Sequence, residues 1–190
     1  MDISQETLRT DMDYNPETGA LIWKAREEGS FKRRRSWLAW NTRFSGKRVG
    51  ALHASGYIYT KYRGGVHLVH RIIWMWMHGT LPEQIDHINH CRSDNRMVNL
   101  RPADPRINGA NITLPSDNTS GRIGVYRGRG AGTWVAKICV NGKKMHLGTF
   151  RSFSSAAKVR ASAEKMYMFH ENHGMQSNDN FPQPSNTSVA

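Results

Sequence analysis

Between Ile85 and Asn108 the chain gathers residue types that can hydrolyse a bond. Ile85-Asp86-His87-Ile88 alternates with the period of a strand, which sets Asp86 and His87 on opposite sides of the local backbone. A neutral imidazole takes a proton from water near pH 7. An Asp-His pair alone is commonplace, but its surroundings raise its weight. Asp104-Pro105 reads as a helix start, with Asp as cap and Pro at the first helical position. Asn108 then lies one turn inside. Asn and the following Gly109 are poor helix formers, so a chain that keeps them there has a use for the amide or for a close backbone approach.

The elements that must position these residues follow from local pattern. Residues 3 to 12 suit a short helix capped by Ser4. Tyr14 to Gly19 contains Asn15-Pro16 and a closing glycine, which is turn chemistry, and Leu21-Ile22-Trp23 follows as a short strand. Residues 24 to 48 are charge-rich, and the run Lys32 to Arg35 reads equally as a solvated loop or a phosphate contact. Tyr57 to Tyr62 and Val66 to Val69 form a hairpin around Arg63-Gly64-Gly65. His70 to His78 turns helical and stops at Gly79, with its tryptophans expected in the core.

His70-Arg71, Asp86-His87-Ile88-Asn89, Asp94-Asn95-Arg96 and Asn99-Leu100-Arg101 together resemble the HNH endonucleases of the phage and intron-homing type. The resemblance covers roughly residues 10 to 112. It implies a ββα-metal fold and metal-dependent hydrolysis of DNA phosphodiesters, by nicking or by a double-strand cut. By that resemblance His87 is the general base, and Asp86 and Asn108 are oxygen ligands of one divalent ion. Hard oxygens favour Mg²⁺ or Mn²⁺ over Zn²⁺. Asn99 resembles the central asparagine that pins the loop between the strands. The second ring nitrogen of His87 is expected to meet a backbone carbonyl. Asn95 is expected to stabilise a turn and, with Asn99, to hold the loop that keeps Asp86, His87 and Asn108 in place, and Arg96 and Arg101 are expected to contact phosphate. His70 is expected to be a hydrogen-bonded structural residue, and His90 a solvated loop residue.

Beyond a Ser/Asn/Thr-rich linker, Ile123 to Arg127, Thr133 to Val140 and Lys143 to Phe150 read as three strands. The last two are joined by Asn141-Gly142, a strong hairpin dipeptide. A helix from Ser155 to about His170, capped by Ser154, completes the segment. Gly124-Val125, Trp134-x-Ala136, the Lys143 to Phe150 end and the Ala-rich helix resemble the AP2 DNA-binding domain, whose sheet lies in the major groove. The contact positions then fall on Tyr126, Arg127, Arg129, Lys137, Lys144 and His146. Plant members of that family carry Arg or Trp where this chain has Tyr126, Cys139 and His146, so a base preference is not inherited. Alternation puts Trp134 on the inward face.

Charge agrees with a polyanionic partner. The 190 residues carry a net charge of +12, with 27 Lys and Arg against 15 Asp and Glu. Basic excess at this level points to nucleic acid. It is most one-sided in residues 113 to 172, with 10 basic and 3 acidic side chains. Two cysteines without a Cys-x-x-Cys pair argue against a thiolate zinc site or a disulfide framework. No apolar run approaches a membrane span and no basic-then-apolar leader opens the chain. A soluble, intracellular protein is expected, in the host cytoplasm if it is phage-encoded.

The expected architecture is α+β: a ββα-metal nuclease domain with its scaffold at 1–112, a linker at 113–121, an AP2-like sheet and helix at 122–172, and a disordered tail at 173–190. The expected partner is double-stranded DNA, with no small-molecule cofactor. The alternatives are a DNA-binding regulator whose HNH unit does not cut, and a structural nucleoid-type binder.

Overall fold

The computed structural model describes residues 3–104 and 110–175. They form two units, residues 3–87 with 91–102, and residues 88–90 with 103–104 and 110–175. Asn108 lies outside the described residues.

In the first unit, α1 spans Gln5–Asp11, with the Ser4 hydroxyl accepting from the Thr7 amide at 3.2 Å. It runs directly into β1 (Met12–Asn15), which pairs antiparallel with β2 (Ala20–Trp23). The expected lone strand is therefore one arm of a hairpin. Its turn is closed by the Asn15 Oδ1, which accepts from the amides of Glu17 and Thr18, the side-chain mimicry that makes Asn a turn residue. Met12, Tyr14, Leu21 and Trp23 alternate inward into the core.

The charged stretch after β2 is not a loop throughout: α2 spans Arg34–Phe44. Trp37, Trp40 and Phe44 recur at helical spacing beneath the arginines, and Trp40 meets Trp23 edge-on at 5.7 Å. Aromatic packing outweighs a basic, uncapped first turn.

A small sheet of order β3-β4-β5 follows, from Ala51–Leu52, Ile58–Tyr62 and Gly65–Leu68. It leads into α3 (Val69–His78), which stops at Gly79 in the left-handed conformation, φ +71°. Val69, Ile72, Ile73 and Trp74 from α3 join Leu8, Met12, Leu21 and Trp23 in one core cluster. Each such aliphatic side chain contributes about 1.5–3 kcal/mol on burial. Gln5 of α1 donates to the carbonyls of Trp76 and Met77, satisfying two of the orphan acceptors at the end of α3. Last come β6 (Gln84–His87) and β7 (Leu100–Ala103), paired as a two-stranded sheet. Ile85 of β6, next to Asp86-His87, packs against the same core cluster.

The second unit is a three-stranded antiparallel sheet of order β10-β9-β8, from Val125–Arg127 (β8), Trp134–Val140 (β9) and Lys143–Phe150 (β10). Asn141 and Gly142 both take positive φ, +51° and +76°, as a tight primed turn requires. α4 spans Phe153–Met166 and is capped by Ser152, which accepts from the Ser155 amide at 3.1 Å. The cap is therefore two residues earlier than expected, because Ser154 lies within the first turn, and the helix ends short of His170. Val125, Ala136 and Ala156 form a small core with Trp134, Leu147 and Phe150 around it.

Arg160 of α4 is buried in this unit. Its guanidinium pairs with Glu164 at 3.1 Å, donates to His173 Nε2 at 3.3 Å and lies 5.3 Å from the Phe169 ring. Arg122 also pairs with Glu164. Gly124 lets the chain pass this guanidinium: a Cβ there would fall 2.3 Å from Arg160 Nε and 2.4 Å from the Lys137 carbonyl. Two expectations at the segment ends are revised. Gly174 donates to the Ile112 carbonyl at 2.8 Å and Leu114 to that of Met175 at 3.2 Å. Residues 173–175 are thus packed structure and not the start of a disordered tail. His90 is buried, at φ +64°, with Nε2 2.8 Å from Asn111 Oδ1. It is a bonded residue and not a solvated one.

No helix among the described residues is long and apolar enough to cross a membrane.

Candidate active site

His87 ends β6 with its side chain turned into the first unit, 4 % exposed. Its Nε2 lies 3.1 Å from Asn95 Oδ1. An amide oxygen only accepts, so Nε2 carries the proton and the lone pair falls on Nδ1. A side-chain amide thus orients the ring at Nε2. The imidazole packs edge-on to His70 at 5.0 Å and lies 5.9 Å from the Tyr57 ring. Burial holds the His87 pKa below the ordinary imidazole value, against the smaller opposing pull of Asn95 and of Asp86 and Asp94. The ring is therefore neutral at pH 7, the state a general base needs.

Asp86 points the other way, as alternation requires, and its Oδ2 receives Arg101 through Nη2 at 2.8 Å and Nε at 3.1 Å. Arg96 makes a forked contact to Asp94, at 2.8 and 2.7 Å. Both guanidinium groups, expected to contact phosphate, thus meet carboxylates in this structure, in charge-assisted forks that are among the stronger polar contacts. Asn99 lies in the loop between β6 and β7 and donates to the Asp94 carbonyl at 2.8 Å. Asn95 joins the same loop, buried, and its carbonyl accepts from the Tyr14 hydroxyl at 2.8 Å.

Asp86, His87, Asn95, Asn99 and Arg101 are therefore brought together, while Asn108 belongs to the undescribed residues. Among the described residues no cluster of three or more His, Cys, Asp and Glu stands ready for a metal. The donor chemistry fits a hard ion held by one or two protein oxygens and otherwise hydrated, as Mg²⁺ commonly is. It does not resemble a closed structural zinc site.

Sequence reasoning missed one participant and gave another a smaller role. Tyr14 is 81 residues from its partner Asn95, and no local pattern joins them. Asn95 itself is legible as a residue that holds the loop, but not as a partner of His87.

On the second unit, the expected contact residues Tyr126, Arg127, Arg129, Lys137, Lys144 and His146 are all exposed. They do not share one face. Lys137 pairs across the sheet with His146, Lys144 with Cys139, and Tyr126 with Val135, all directed away from the core. Arg127 pairs with Trp134 and lays its guanidinium 4.1 Å over that ring, on the other face. Arg129 sits in the turn after β8.

Residues 67–110 match the family model described as HNH endonuclease. No curated protein and no solved structure matches the chain. The matched segment holds the Asp86-His87 strand and its loop, and it is similar to HNH endonucleases, a class whose members are generally nucleases acting on DNA. A divalent ion is common in that class.

Two buried histidines give the fold a pH dependence. Burial is the main cause that lowers His70 to about 3, with His87 adding to it. Burial and Arg160 lower His173 to about 4. Each is protonated in the unfolded chain near pH 6.5 but resists protonation when folded. Stability is therefore complete above pH 6.5 and is lost as pH falls toward those folded values. At pH 5 each histidine is expected to cost its own unit about 2 kcal/mol relative to pH 8. Urea unfolding at the two pH values checks this; midpoints that do not fall at pH 5 would refute it.

Proposed function

We propose that this protein is a metal-dependent DNA endonuclease of homing type, with an AP2-like second unit that positions the cut. The observation that supports it most is the buried, neutral His87 beside Asp86 inside the matched segment. His87 takes a proton from water through Nδ1 as the water oxygen attacks phosphorus and the bond to the 3′ oxygen breaks. Asn95 keeps the accepting nitrogen unprotonated. Asp86, with Asn108 as the second oxygen donor, would hold Mg²⁺ or Mn²⁺. When bound, such an ion supplies Lewis-acid stabilisation to the scissile phosphate and the leaving oxygen. Asn99 holds the loop behind these groups.

The solvent face of the second sheet, with Tyr126, Lys137, Lys144 and His146, offers an aromatic and basic surface to duplex DNA, with Arg129 at its edge. Such contacts release counterions. Full-length protein carrying Lys137→Ala and Lys144→Ala is expected to bind DNA more weakly, and the slope of log K against log salt should fall by about one for each lysine. A slope identical to that of the parent would remove this face from the interface.

A second reading is a DNA-binding regulator whose HNH unit does not cut, and the Arg101 contact on Asp86 favours it. Incubating the protein with a DNA library and Mg²⁺ or Mn²⁺, then mapping ends on each strand, separates the two. Ends at defined positions support the nuclease, and intact DNA with retained binding supports the regulator. The same map distinguishes a nick from a double cut.

A further inference from the structure

We infer that the N-terminal hairpin is part of the catalytic apparatus: Tyr14 and the Gly19 turn fix the Asn95 peptide, and Asn95 in turn sets the orientation and tautomer of His87. This rests on reading His87 as the general base. It assigns positioning roles to residues far outside the segment that matches the HNH model.

The hairpin touches the loop at three points. The Tyr14 hydroxyl donates to the Asn95 carbonyl at 2.8 Å, with both residues buried. The Met97 amide donates to the Pro16 carbonyl at 3.3 Å. Between them Gly19, at φ +69°, lies so close that a Cβ would come within 2.6 Å of the Arg96 nitrogen and 2.7 Å of the Asn95 carbonyl carbon. Those neighbours are backbone and cannot yield as a flexible side chain would. Tyr14 is itself fixed by pairing with Leu21 and by an edge-on contact with Trp76 at 5.9 Å.

One short bond depends on this clamp. The Asn95 side chain meets His87 Nε2 at 3.1 Å, and a shift of the peptide displaces that oxygen directly. The rings of His70 and Tyr57 restrain the plane of His87 but do not choose which nitrogen bears the proton. An acceptor oxygen makes that choice. The hairpin is thus a positioning device that acts through Asn95.

The test uses the full chain labelled with ¹⁵N, comparing Asn95→Ala, Asn95→Asp and Tyr14→Phe with the parent. Ring ¹⁵N shifts at neutral pH report the His87 tautomer, DNA cleavage with Mg²⁺ reports rate, and thermal melts report folding. Asn95→Ala is expected to lose the Nε2–H signature and to cleave about 10- to 100-fold more slowly, the usual effect of removing such a supporting contact. Asn95→Asp, which keeps an acceptor oxygen, retains the signature and recovers most of the rate. Tyr14→Phe, which keeps the ring and its packing, moves both readouts in the direction of Asn95→Ala by a smaller amount. Three results each overturn the inference: an unchanged His87 signature in folded Asn95→Ala, equal impairment by Ala and Asp at position 95, or Tyr14→Phe indistinguishable from the parent. If the parent does not cut DNA but the ring signatures change as described, the positioning device stands and the nuclease reading falls.

Discussion

His87→Ala is expected to lower DNA cleavage by about 10²- to 10⁴-fold, the range that a positioned general base contributes, while DNA affinity stays near that of the parent. His87 is buried at the end of β6 and held neutral, so its removal takes away the proton acceptor. The exposed basic residues on the second sheet are untouched, so binding persists. Truncation also empties ring contacts with His70 and Tyr57 and strips Asn95 of its donor, so a melt must accompany the assay. A folded His87→Ala protein that cuts at the parental rate would end the assignment of His87 as base.

The largest expected effect on stability comes from Glu164. Arg160 is 2 % exposed and Glu164 is its counter-charge. Breaking a buried pair from one side costs about 3–5 kcal/mol, because a charge is left without compensation in a poor solvent. Glu164→Ala should therefore strongly destabilise the second unit. Arg160→Met should cost less, because Glu164 keeps its contact with Arg122 and the unbranched apolar chain fills much of the space. The comparison is made by urea unfolding of the full chain, followed through Trp134, which packs against this small core. Equal losses from the two substitutions would mean that the buried charge is not the source of the effect.

The contrast between these two sites says what a sequence exposes. Asp86-His87 is legible because the chemistry sits in adjacent residues, and the strand period alone places them on opposite sides. The Asn141-Gly142 turn and the Gly79 stop are legible for the same local reason: only certain residues accept positive φ there. α2 is not, since its four-residue basic run hides an aromatic face at helical spacing. Arg160 is not, since an arginine in an Ala-rich helix ordinarily faces water, and only the fold reveals Gly124 and Glu164 around it. Asn95 falls between the two cases. Its residue type suits a turn, and the sequence cannot tell that the turn delivers its amide to an imidazole. Long-range packing, set by which apolar faces meet, decides such partnerships, and it leaves no local trace.

The pairing of Asp86 with Arg101 has a consequence for how the first unit is made. Many small metal-binding domains gather several anionic ligands that repel one another, and they stay unfolded until a cation arrives. Here the carboxylate expected to hold the ion already has a guanidinium beside it, at 2.8 Å. Its charge is balanced from within the chain. The first unit can therefore complete its fold on a ribosome-fresh chain in a cation-poor medium, and on the nuclease reading proposed above a chelator is expected to stop cleavage without unfolding it.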